Sequence, residues 1–330
     1  MHFWKALSGG GFRVTYGDVV PDEPIDVLWS NRADVWKPSV ARMGYFASVG
    51  HYSYVTRQVK EVSSCATLLP VEGTYSLAER WKHWLTLSRS MLLLIIGNQR
   101  IKHSFEPALS GQEVRLINCG VNADHFRMDP SQKKQPVFVH NATRFSVRKG
   151  SHVVAEAWRK MAWEMSEAKL ILLGRPGDFD IAASLKDVPN VEYQGEYIGG
   201  SCEYIERIGA ARWAVLPSVA EGQAGTLLEA MSCGCVPIAS RDTGVDAELY
   251  CGYVIEPNDP ETLASLMRRA FTEWNIERPT VTRKAVVARH QWGDFEHHVQ
   301  DATNFLLANP PSRLASPLKI FLGFLRHLTS

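Results

Sequence analysis

At 330 residues the chain is too long for one compact core and sufficient for two domains. A hydrophobic fraction of 45% with 22% charged residues excludes a disordered polypeptide. Lys+Arg 36 against Asp+Glu 35 leaves no basic excess to replace counterions, which argues against a nucleic-acid partner. The six cysteines (Cys65, Cys119, Cys202, Cys233, Cys235 and Cys251) form no C-x-x-C pair and have no histidine at zinc spacing. Reduced cytoplasmic thiols are therefore expected, with no structural metal and no disulfide framework. Met1 to Lys5 has no signal-peptide layout. The longest apolar run, Met91 to Ile96, is far short of the ~20 residues of a spanning helix.

In chain order, His2 to Leu7 predicts a helix, Gly9-Gly10-Gly11 a loop and Arg13 to Tyr16 a strand. Further strands are predicted at Pro24 to Trp29, Tyr45 to Val49, Leu92 to Ile96 and Arg115 to Asn118. A polar link, Met128 to Gln135, separates this half from a more regular one. There, Pro136 to His140 predicts a strand and Gly150 to Met165 a helix. Lys169 to Leu173 is a strand expected to stop at Gly174-Arg175-Pro176-Gly177. Val191 to Tyr193, Trp213 to Leu216, Val236 to Ala239 and Tyr253 to Ile255 are short apolar strands. Tyr204 to Ala211, Gly225 to Ser232 and Glu261 to Trp274 are the helices among them. Such alternation implies α/β domains with parallel sheets covered on both faces, whose ligands bind at the carboxyl ends of the strands.

The segment richest in chemistry is Leu216 to Ser240, LPSVAEGQAGTLLEAMSCGCVPIAS. A strand ends at Pro217-Ser218, a glycine-containing loop follows, and a helix opens near Gly225-Thr226. Unpaired amides at such a helix start suit a diphosphate. Glu221 and Glu229 stand with seven residues between them; taken alone they would be a cap and a solvent-facing side chain.

This stretch resembles the donor signature of retaining glycosyltransferases of the group 1 family, P-S-x-x-E-G-x-G-x-x-x-L-E-A-M-x-x-G-x-P-V. Pro217, Ser218, Glu221, Gly222, Leu228, Glu229, Ala230, Met231, Gly234 and Pro237 carry the match. The second glycine falls one position late, because Gln223-Ala224-Gly225 replaces the usual residue and glycine. Arg144 and Lys149-Gly150 resemble the family's G-R-L-x-x-x-K-G element, with Thr143 in place of its glycine. Leu172 to Gly177 resembles the L-x-G-x-G strand end, Ile117 to Phe126 the exit from the acceptor domain, and Gln291-Trp292 the start of the closing helix.

The resemblance implies a GT-B fold of two facing Rossmann-like domains: residues 1–127 on the acceptor side, shortened at the N-terminus, and 136–305 binding the donor. Either the opening strand is missing or Gly9 to Gly11 is a rebuilt loop. The donor would be a UDP- or GDP-sugar as substrate, with no other cofactor and no metal. Glu229 would bind the ribose hydroxyls. Glu221, Ser218 and the backbone of Gly222, Gln223, Ala224, Gly225, Thr226 and Leu228 would hold sugar and diphosphate. Arg144 and Lys149 would offset charge on the leaving diphosphate. Gly174, Arg175, Gly195 and Tyr197 would border the nucleoside. His51 resembles the sugar-contacting histidine of relatives, against the alternative of an ordinary core or surface histidine, and Asn98 takes the place of a strand-end serine.

The activity implied is retaining, metal-independent, front-face transfer to a hydroxyl of a glycan or lipid-linked saccharide, in cell-surface polysaccharide biosynthesis. Two rivals remain open at this point: an inactive GT-B subunit or binding module, and a sugar transferase acting on modified DNA. Residues 306–330 read as an amphipathic helix that either returns to the N-terminal domain or lies on a membrane surface, which would make the protein cytoplasmic and peripheral at the inner face.

Overall fold

The computed structural model of the chain describes residues 7–8, 27–30, 42–47, 52–63, 75–109, 111–256, 258–309 and 324. The described residues of 1–54, 75–120 and 292–330 make one compact unit, and those of 55–74 and 121–291 a second. Gly9 to Gly11, Arg13 to Tyr16 and His51 lie outside the described residues. No helix among the described residues is long and apolar enough to cross a membrane.

The first unit holds a parallel sheet in the order β1 (Leu28–Ser30), β2 (Met43–Ala47), β3 (Leu92–Ile96), β4 (Glu113–Ile117). All five residues of β3 are buried, which is why its sequence is an unbroken apolar run and not an alternation. Helices α1 (Tyr52–Ser63), α2 (Leu77–Arg89) and α3 (Gln99–Phe105), none of them among the elements predicted above, lie between the strands in sequence. A capping box starts α2: Ser76 Oγ accepts from the Glu79 amide at 3.2 Å, and Glu79 Oε2 accepts from the Ser76 amide at 2.7 Å. Asn98 is the N-cap of α3, its Oδ1 accepting from the Ile101 amide.

The second unit is a six-stranded parallel sheet. Its strands are β5 (Gln135–Arg144), β6 (Lys169–Arg175), β7 (Val191–Gly195), β8 (Ala211–Leu216), β9 (Val236–Ser240) and β10 (Tyr253–Ile255), ordered β10-β9-β8-β5-β6-β7. Counted from β5, this is the doubly wound order 3-2-1-4-5-6 read in reverse. The strand order reverses between β5 and β8, and in doubly wound sheets the ligand crevice lies at the carboxyl ends of the strands at that switch point. The connections are α4 (Ser151–Met161), α5 (Ile181–Ser184), α6 (Cys202–Ala210) and α7 (Gly225–Ser232), with α8 (Pro260–Thr272) and α9 (Arg278–Arg289) following β10. Phe138 stacks on Trp213 at 4.3 Å between ring centroids, and Trp158, Leu263 and Met267 share that core. Cys233 and Cys235 are buried free thiols.

Two expectations are corrected. β6 does not stop at Gly174 but runs through it to Arg175. Gly174 adopts φ +144°, where a Cβ would sit 1.7 Å from the Ala142 carbonyl oxygen, so only glycine carries the strand past the irregularity in β5. The stretch between the helix near Glu261 to Trp274 and Trp292, read without an element, forms α9, whereas α10 (Trp292–Ala308) opens at the tryptophan expected to start the closing helix.

Helix α10 joins the first unit and not the sheet it follows in sequence. Phe295, Val299, Ala302 and Leu306 form one apolar stripe that packs with Leu92, Leu94, Ile96 and Ile117. Trp29 Nε1 donates to Thr303 Oγ1 at 3.0 Å, and Arg115 pairs with Asp301 at 2.7 Å. Phe324 is buried against Trp81 and Trp84 of α2, with ring centroids 5.0 and 6.3 Å away. Truncating Phe295 to Ala should cost about 3–5 kcal/mol of stability by emptying the centre of this contact. Urea unfolding measures it; stability equal to wild type would remove α10 from the first core.

Candidate active site

The loops that leave β5 and β8 meet at the switch point of the second sheet. Glu221 lies at their junction, with a relative exposure of only 6%. A carboxylate so far from water needs charge beside it, and two cations supply it. Arg148 Nη1 and Lys149 Nζ each lie 2.7 Å from Glu221 Oε1. Burial pushes this carboxyl upward, but Arg148, Lys149 and the hydrogen bonds from Lys149 and Ser218 outweigh it and hold it below the usual range.

Backbone pairing fixes the cluster. The Val219 amide donates to the Arg148 carbonyl at 2.9 Å, and Ser218 Oγ is within 2.9 Å of that carbonyl and 3.0 Å of Glu221 Oε1. Arg148 Nη1 also donates to the Ala220 carbonyl. The Glu221 and Ala224 amides donate to the Asp242 and Thr243 carbonyls after β9. Gly150 has φ +70° and lets the Pro217 carbonyl pass where a Cβ would stand 2.1 Å away. Helix α7 begins after Ala224 with no side-chain cap, and a Cβ on Gly225 would meet nothing within 4 Å. The helix start therefore has open space beside Gly225, and no side chain of its N-cap residue satisfies its first amides.

Glu229, one turn into the helix, sits in a different environment. Tyr204 donates its hydroxyl to Glu229 Oε2 at 2.6 Å, and Asn141 Nδ2 donates to that same phenol oxygen at 2.5 Å. Burial raises the Glu229 carboxyl, with Tyr204 and His125 pulling the other way. Glu229, Tyr204 and Asn141 line a pocket of about 540 Å³ together with Thr226, Gly174 and Tyr197. Thr226 Oγ1 donates to the Asn141 carbonyl at 3.2 Å, which ties the start of α7 to the end of β5.

Among the residues expected from sequence, Ser218, Glu221 and Lys149 come together in the charged cluster, and Gly174, Tyr197, Thr226 and Glu229 in the pocket. Neither glutamate is the solvent-facing residue its spacing alone would allow. Gly222, Ala224 and Leu228 are buried, and Gln223 Nε2 donates to the Gly244 carbonyl. Arg144 is exposed on the last residue of β5, in register with Arg175, which is also exposed and 3.9 Å from Glu196. Gly195 closes β7 at φ +77°. Arg148, Tyr204 and Asn141 are absent from the sequence-based set. Arg148 is adjacent to Lys149, but nothing in a run of polar loop residues says that both cations reach the carboxylate.

With that geometry in place, comparison with known proteins gives a family. Residues 135–273 match the family model described as glycosyl transferases group 1. This segment is similar to group 1 glycosyltransferases, and it spans less than half of the chain. No curated protein matches it. Sucrose-phosphate synthase from Thermosynechococcus elongatus is similar in structure at a TM-score of 0.65 and 18% identity, over 82% of this chain and 69% of that one. Anabaena HepE, solved in complex with UDP and glucose, gives 0.62 and 15% over 80% and 72%. The pneumococcal O-GlcNAc transferase GtfA, in complex with UDP and GlcNAc, gives 0.63 and 11% over 86% and 57%. At these identities the likeness establishes the fold, GT-B with Rossmann-like parallel sheets.

Beneath the two cations lies His140, fully buried in β5. Its Nδ1 is 2.9 Å from the Val215 carbonyl, so Nδ1 carries the proton, and Nε2 accepts from Ser151 Oγ at 2.9 Å. Ser151 Oγ in turn accepts from the Ser146 amide, and Ser146 Oγ from the Lys149 amide. Burial pushes the imidazole down to about 4, with the Lys149 charge adding to it and the Val215 carbonyl opposing. The unfolded chain takes this proton near 6.5 and the native one only near 4. Stability is thus full above pH 6.5 and declines as pH falls toward 4, by about 3 kcal/mol from this group. Denaturant unfolding between pH 7 and 4 should show that decline, and His140→Gln should flatten it; an unchanged slope would leave the imidazole without this role.

Proposed function

We propose that the protein transfers a glycosyl group from a UDP- or GDP-sugar to a hydroxyl of a saccharide or lipid-linked saccharide, with retention of configuration and without a metal. The observation that carries this reading is the pair of glutamates at the switch point, one buried and clasped by cations beside an uncapped helix start and the other half-buried on the wall of a pocket. Ligands of doubly wound sheets bind in that crevice. The structures of Anabaena HepE and pneumococcal GtfA contain UDP, which is the basis for putting a nucleoside diphosphate there.

In this assignment the nucleoside occupies the pocket bordered by Gly174 and Tyr197, with its ribose hydroxyls donating to Glu229. The diphosphate lies at the first amides of α7, within reach of Lys149 and the exposed Arg144. As the bond from the anomeric carbon to the diphosphate oxygen breaks, negative charge grows on that oxygen, and fixed cations stabilise it most at that moment. The acceptor oxygen bonds to the anomeric carbon on the face the diphosphate leaves. Its proton passes to the departing phosphate, so atoms and charge balance without a carboxylate base. Glu221, kept ionised by Arg148 and Lys149, accepts hydrogen bonds from the sugar hydroxyls. A cytoplasmic location belongs to the same proposal, with residues 306–330 either returning to the N-terminal domain, as the buried Phe324 favours, or lying on a membrane surface.

A thermal-shift series with UDP, GDP, ADP and CMP, each with and without magnesium, tests the donor site. One nucleotide should raise the melting temperature equally in both conditions; a flat response to all four would overturn the reading. Lys149→Ala should lower kcat roughly 100-fold with a small change in donor KM. Turnover at the wild-type rate would remove the leaving-group role.

A further inference from the structure

The chain Asn141–Tyr204–Glu229 is longer than nucleotide binding by a lone carboxylate requires. Tyr204 is 4% exposed and stands in the first turn of α6, where its amide donates to the N-cap Ser201 Oγ at 3.2 Å. Its ring meets Phe126 edge-on, with centroids 6.3 Å apart. The helix start and the ring contact fix where the phenol oxygen lies. Directionality follows from the donors. The Asn141 amide can only donate through Nδ2, so the phenol oxygen accepts from it and the phenol proton goes to Glu229 Oε2. One carboxylate oxygen is thereby engaged by the phenol, while Glu229 lines the pocket.

We infer that Tyr204, set by Asn141, is a positioning residue that makes Glu229 a reader of ribose. This rests on the donor-site reading above and adds a residue to it. A carboxylate anchored at Oε2 presents Oε1 in one orientation, and a ribose hydroxyl donating to it gains a charge-assisted bond without ordering the side chain first. A donor with a deoxyribose leaves that oxygen buried and unmatched, which is the expensive outcome. The phenol also stabilises the ionised form. His125 acts in the same direction as Tyr204, while Cys233 at the end of α7 and Glu196 on the pocket wall are the other titratable groups around Glu229. Among these only Tyr204 donates a hydrogen bond to the carboxylate.

The test is calorimetric titration of wild type, Tyr204→Phe and Asn141→Ala with UDP and GDP and their 2′-deoxy and 3′-deoxy analogues, across pH. Wild type should prefer one ribonucleotide over a deoxy analogue roughly tenfold or more. Tyr204→Phe keeps the ring volume and should bring that ratio close to one, chiefly by weakening the ribonucleotide. It should also move the acid limb of binding to higher pH, because Glu229 loses a donor; protonation of the phosphate is common to both proteins and cancels. Asn141→Ala leaves the phenol in place and should narrow the ratio in the same direction, which keeps the test decisive if the phenylalanine variant folds poorly. An undiminished ribose preference with an unmoved acid limb would overturn the role of Tyr204. Failure of wild type to bind either nucleotide would instead overturn the donor-site reading.

Discussion

Removing a carboxylate from water is unfavourable unless fixed positive charge and hydrogen bonds replace the lost hydration. Glu221 meets that requirement only because the loop after β5 delivers Arg148 and Lys149 to one of its oxygens. The rest of the site follows from that delivery. Arg148 donates from its side chain to Glu221 and Ala220 while its carbonyl accepts from the Val219 amide, so one residue joins the ends of β5 and β8. Close approach of those ends demands glycine at position 150. The amides of Glu221 and Ala224 reach the loop after β9, so a third strand end is tied to the same cluster. What holds the crevice in shape is thus largely the neutralisation of one buried charge.

The second glutamate shows how the same side chain is made different. Glu221 has two cations and a hydroxyl, and its carboxyl is held down; Glu229 has a neutral phenol, and burial pushes its carboxyl up. Environment separates two groups that the sequence presents as equivalents. The separation suits their proposed tasks. A group near a diphosphate must remain ionised without drawing the cations wholly to itself. A group that reads hydroxyls gains from a low-dielectric wall, where an unmet hydrogen bond is costly.

Much of this was legible from the chain. The apolar runs at Leu92 to Ile96 and Lys169 to Leu173 are strands because both faces of a parallel sheet are covered, and their residues have no polar side to display. Gly225 to Ser232 was legible as a helix from its turn residues and its apolar positions. The residues that complete the site were less so. Arg148 is one cation of an adjacent pair, and that both reach Glu221 depends on a loop held by the Pro217 carbonyl beside Gly150. Tyr204 looks like an ordinary aromatic of a short amphipathic helix; its hydroxyl acquires meaning only when β5 brings Asn141 beside it. Helix α10 is a third case. Its apolar stripe is plain, but a stripe does not say which sheet it covers, and the chain returns to the first.

The buried imidazole beneath the cations completes the electrostatic logic. His140 lies on the central strand whose end carries the phosphate-side loop, and its two ring nitrogens are both used, one donating to Val215 and one accepting from Ser151. Protonation would destroy the acceptor and place a third positive charge close to Lys149 in a region without solvent. Keeping the ring neutral therefore confines positive charge here to the two side chains that Glu221 neutralises. The loop they stand on is fixed from below by neutral hydrogen bonds through Ser151 and Ser146. The cluster is built in this way: two cations paired with Glu221, over a polar but uncharged support.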